Sequence, residues 1–183
     1  MIWVTDDEGR TTYMCPEWYA VTGLRSPAGL GPGWASVIHP DDRDLMVETF
    51  RHACAARCEF TLQYRLRRQD GTYVWVSDSA TPSWLPNRRG FLGFFGQITD
   101  VKPQGRRLIA QAELERFEVT PSAGEFAPVT ALDALAEHIL MARSLALGGA
   151  SDHLLPMVDA LLFAVGRDLA RRQGGDDASG NIH

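Results

Sequence analysis

Residues 59–68 alternate without a break. Phe60, Leu62, Tyr64 and Leu66 fall on one side of an extended chain, and Thr61, Gln63, Arg65 and Arg67 on the other. Side chains repeat at every second residue only in a strand, so this segment reads as a half-buried β-strand. Asp70-Gly71 follows as the turn of a hairpin. Two more strands are expected over 72–79 and 91–101, and these are apolar on both faces. Tyr73 and Trp75 stand against Val74 and Val76, then Leu92, Phe94 and Ile98 against Phe91 and Phe95. A strand apolar on both sides needs cover on both sides.

Upstream, Ile2–Thr5 and residues 10–14 read as two short strands about a turn at Asp7-Glu8-Gly9. Pro16 suits a first helical position and Gly23 a stop, which predicts a short helix over Pro16–Thr22. After a Pro/Gly-rich loop over 26–33, His39-Pro40-Asp41-Asp42 opens a longer helix, its carboxylates favouring the positive dipole end. Met46, Val47, Phe50, Ala53 and Cys54 form its apolar stripe.

This order of elements, with its residues, resembles a PAS domain over 1–101. Gly33-Trp34 precedes Val37-Ile38-His39-Pro40-Asp41-Asp42, then come Tyr64-Arg65, Asp70-Gly71-Thr72-Tyr73-Val74-Trp75, and Gly96-Gln97-Ile98-Thr99-Asp100-Val101. The resemblance implies an α+β fold: a five-stranded antiparallel sheet with short helices on one face, around a core that sometimes holds a ligand. It also implies a role in sensing, partner binding or dimerisation rather than chemistry, and a structural role for His39. Periodicity allows Phe50, Phe60, Leu62, Tyr64, Trp75 and Phe94 to turn inward. They are the candidate lining of a pocket for a small, flat or lipid-like apolar ligand, or of a core filled by its own side chains.

Cofactor chemistry finds little footing in the residues. Segment 27–37 lacks the Cys that a flavin photoreceptor of this fold needs before the long helix. His52, the position for a haem ligand, lies roughly 200° around the helix from Phe50 and should face water. His52, Cys54 and Cys58 have the wrong spacing for zinc and lack a fourth ligand. No nucleophile–base pair or phosphate loop stands out, so no enzyme, haem, flavin or metal is expected. A net charge of −5 argues against a general nucleic-acid or anionic-membrane binder. With three cysteines, no signal-peptide pattern and no apolar run of spanning length, a cytoplasmic protein is expected.

The second half resembles no family. Residues 102–127 read as a linker, helical in part over 104–117, and residues 128–173 as a helical hairpin broken at Gly148-Gly149 and restarted at Ser151. A flexible tail is expected over 174–183. In the first helix Leu132, Leu135, Ala136, Ile139, Ala142 and Ala146 make a stripe with Arg143 in its middle. In the second, Leu154, Val158, Leu161, Leu162, Val165 and Leu169 cover most of the circumference and are the candidate dimer or domain interface. The expected function is a non-catalytic PAS regulator, a homodimer that binds a signalling protein such as a sensor kinase or transcription regulator. The alternative is histidine phosphotransfer through His138, although neither the acidic residue nor the Pro usual after a phosphoacceptor follows it.

Overall fold

Strand pairing organises the molecule. The computed structural model describes residues 1–85, 90–102, 108–118, 120–150 and 152–179. Among these, six strands form one antiparallel sheet in the order β2-β1-β5-β4-β3-β6. They are β1 (Ile2–Thr5), β2 (Thr11–Met14), β3 (Phe60–Arg67), β4 (Tyr73–Trp84), β5 (Phe91–Asp100) and β6 (Gln111–Leu114). The β3–β4 hairpin turns on Gly71 at φ +84°, with the Asp70 carboxylate accepting from the Thr72 amide and hydroxyl. That turn fixes the register from Arg67↔Tyr73 to Phe60↔Ala80.

Two elements differ from the sequence expectation. β4 runs five residues past 79, through Pro82. Beyond Ala80 it has left β3 and pairs with β5 alone, so a residue without an N–H is tolerated there. Residues 111–114 are a strand, not part of a helix: β6 pairs along the free edge of β3, from Phe60↔Leu114 to Gln63↔Gln111. Gln, Ala, Glu and Leu are good helix formers, but an open sheet edge offers unpaired N–H and C=O groups, and this pairing outweighs propensity. The sheet therefore has a sixth strand beyond the five expected. Residues 103–107, where the expected linker helix would start, lie outside the described residues.

Helices cover both faces. On the inner face lie α1 (Pro16–Thr22), a 3-10 turn (Gly33–Val37) and α2 (Pro40–Ala56). The entry of α2 is tied to β3. His39 Nδ1 accepts from the Asp41 amide, and Asp42 accepts from the Arg65 amide and guanidinium at 2.5–3.0 Å. The outer face carries α3 (Ala131–Leu145), capped by the Thr130 hydroxyl, and α4 (Leu155–Ser179). A π-turn at Ala146–Ala150 and a 3-10 turn at Asp152–Leu154 connect them, and Ser151 lies outside the described residues. α4 crosses β2, β4 and β5, and α3 packs on α4 and β1. Of residues 174–183, expected as a flexible tail, 174–179 continue the α4 backbone and 180–183 lie outside the described residues. No helix among the described residues is long and apolar enough to cross a membrane.

Candidate functional site

Between the inner face and its helices lies a small cavity. About 20 Å³ is open to the centre of a water-sized sphere, room for about one water. Phe50 of α2 is its hub. That ring meets Trp3 at 6.1 Å, Trp34 at 5.5 Å and Phe60 at 5.8 Å, each edge to face. The expected residues Phe50, Phe60, Leu62 and Tyr64 all border the cavity. Phe94 does not reach it but backs Phe60 and Phe50 with ring centroids 5.6 and 6.2 Å away.

Trp75 has to be corrected. The register Arg65↔Trp75 puts it on the face opposite Tyr64 and Val76, where the Arg65 guanidinium lies 5.6 Å from its ring centre. Both faces of this strand are apolar in sequence, so alternation alone could not say which turned inward.

Sequence reasoning missed the polar centre of the cavity, Asp78. It lies two residues after Val76 on the inward register, and it is buried. Its Oδ1 accepts from Trp3 Nε1–H at 2.7 Å and its Oδ2 from the Tyr64 hydroxyl at 3.1 Å. Burial pushes the carboxyl up to about 7, against the downward pull of these two hydrogen bonds. Burial and the adjoining Asp78 charge hold the Tyr64 phenol well above its ordinary value. An acid in phase with Val76 and Ala80 was the available signal.

The remaining candidates lie apart from the cavity. His52 is exposed, its Nε2 3.0 Å from Arg51 Nη2. Cys54 is half-buried, and burial pushes its thiol up to about 11. No three His, Cys, Asp or Glu side chains among the described residues are grouped as a metal site needs. His138 is exposed on α3, its Nδ1 2.6 Å from the Ala134 carbonyl. The expected interface on α4 divides in two. Leu162, Val165 and Leu169 are buried in the core of their own chain, with Val158 half-buried against it. Leu154 and Leu161 stay 41% and 49% exposed, in line with Met157 at 67%.

Residues 11–93 match the family model for the PAS fold. Over 121 residues the chain is 34% identical to the uncharacterized protein y4lL of Sinorhizobium fredii, covering 64% of this chain and 14% of that protein's length. Among solved structures, the N-terminal domain of a diguanylate cyclase with PAS/PAC sensor from Marinobacter aquaeolei is 21% identical. That match covers 54% of this chain and 92% of that one, with a TM-score of 0.48. The PAS domain of Bordetella pertussis BvgS is 22% identical over 57% of this chain and 78% of that one, with a TM-score of 0.45. The matched segment spans the inner-face helices and most of the sheet that carries the cavity, and residues 11–93 of this chain are a PAS domain.

Proposed function

We propose that the chain is a sensory module without catalytic activity of its own, which reports the occupancy of its cavity through the outer-face hairpin to a signalling protein. The observation that carries this reading is that β4 and β5 serve both sides of the sheet. Asp78 and Ile98 face the cavity, while α4 crosses the same two strands on the other face. A ligand that shifts these strands must also shift the packing of α4, because interiors this dense transmit displacement.

The module acts as a homodimer, with a sensor kinase or transcription regulator as the class of protein it addresses. Leu154, Met157 and Leu161 support the dimer: spaced three and four residues apart, they form an exposed apolar stripe that runs from the turn before α4 into its first turns. A two-fold axis would bury that stripe against itself. Light scattering of the full chain at tens of micromolar should give twice the chain mass, and Leu161→Glu should halve it. A wild-type monomer at that concentration removes the dimer. Sensing is tested by denaturing the purified protein and identifying any small molecule released by mass spectrometry. It is also tested by amide exchange in α3 and α4 with and without that molecule. A hairpin whose exchange ignores cavity occupancy overturns the sensory reading.

A further inference from the structure

One wall of the cavity is ionisable, and that restricts what could sit in it. A carboxylate offers about four lone-pair directions. Trp3 and Tyr64 occupy one on each Asp78 oxygen. Both neighbours donate, so they favour an accepting carboxylate, and neither brings positive charge. Half of the remaining wall is aromatic, Trp3, Trp18, Trp34, Phe50 and Phe60, and the rest is Thr11, Met14, Leu62, Leu66 and Ile98. An anion would meet the charge of Asp78, and a hydrocarbon would leave its spare lone pairs unpaired in a desolvated site. A small cation suits both features, with its N–H groups on the carboxylate and its charge against the rings.

We propose that this cavity binds a small organic cation bearing at least one N–H, of the alkylammonium or amidinium class, with its nitrogen on Asp78. The proposal deepens the sensory reading and rests on it. Size then sets the route. The small space beside Asp78 admits an ammonium head but no tail. Trp34 and Phe50 are half-buried and set edge to face at 79°. They border both the cavity and an outer groove of about 370 Å³ by the same measure, beside Gly31, Val47 and Cys54. In the proposed bound form one of these rings turns aside, and the alkyl tail lies in the groove.

The test is a titration of the full chain at about pH 8, where the carboxylate prevails, with ethylammonium chloride as the probe. Sodium chloride and ethanol serve as charge and shape controls, and tryptophan fluorescence and thermal unfolding are read. Ethylammonium should give a saturable response that the controls do not. Asp78→Asn should weaken that response about tenfold or more, the scale of one lost charge-assisted bond, with its near-ultraviolet dichroism showing a folded protein. Trp34→Ala removes one of the rings against which the charge lies and should also weaken the response, by less than Asp78→Asn. Equal binding by Asp78→Asn, or saturable binding of ethanol, overturns the proposal. If ethylammonium fails while the purified protein releases a neutral or anionic molecule, the ligand class is wrong and the sensory reading stands. If ethylammonium fails and nothing is released, both fall.

Discussion

Asp78 holds a proton that its unfolded counterpart would give up. Burial raises its carboxyl to about 7, while Trp3 and Tyr64 donate to it and the Met1 amine acts from farther off. In an unfolded chain the same carboxyl titrates near 3.9. Between those values the folded state binds one proton more than the unfolded state, so this group's contribution is full below about pH 4. It declines as pH rises to about 7 and is flat beyond. Asp78→Asn keeps an acceptor for the Trp3 indole and cannot ionise. In urea unfolding, the variant should gain on wild type steadily from pH 4 to 7. The gain from pH 4 to pH 7 should total on the order of 4 kcal/mol, the free energy of moving a carboxyl from near 3.9 to about 7. Parallel profiles would mean that Asp78 is ionised in the folded protein throughout this range. The strand that carries it was legible as a strand, but its polar function was not. An Asp in a half-apolar run looks like a surface residue until the Arg65↔Trp75 register sets which face turns inward.

At the scale of elements, Arg143 is one of the side chains that tie the hairpin to the sheet. Arg143 of α3 is buried; its Nε donates to Asp159 of α4 at 2.8 Å, and its Nη1 donates to Glu59 at the head of β3. Glu59 also accepts from the Thr81 hydroxyl of β4 at 3.1 Å. An Arg within an apolar stripe is visible in sequence as an anomaly. Its partner is not, because Glu59 lies 84 residues away and only folding brings the two together. Arg143→Met should cost about 3 kcal/mol in urea unfolding, because it strands two carboxylates that are mostly out of water. Adding Glu59→Gln and Asp159→Asn should restore most of that loss, since neutral partners need no cation. If the single variant is as stable as wild type, the network contributes nothing. β6 shows the same limit from the other side, for its residues favour helix and only the open edge of β3 makes them a strand.

For the whole molecule, the question is which surface the hairpin covers. The helices of the first half, all but one of the long strands' boundaries to within a residue, and the existence of the hairpin follow from capping residues and periodicity. The placement of α4 does not, because a helix apolar nearly all round carries no direction in its sequence. Leu161 and Leu162 are adjacent identical residues, yet one is half-exposed and the other wholly buried. What directs α4 is the sheet. Phe95 is buried on the outer face, and a Cβ added to Gly166 would come within 3.4 Å of Val4 and 3.6 Å of Phe95. Deleting residues 128–183 should therefore expose the outer face rather than release a well-folded monomer. Light scattering should show aggregation of the truncated chain, and its near-ultraviolet dichroism should lose the sharp bands of fixed aromatic rings. Co-expression of residues 128–179 as a separate chain should restore both, because the lost interface is a packing surface and not a covalent requirement. Were the truncated chain soluble, monomeric and unchanged in its aromatic bands, the outer face could stand in water alone. The hairpin would then be an attachment to the PAS domain, and the coupling of cavity to α4 would lose its mechanical basis.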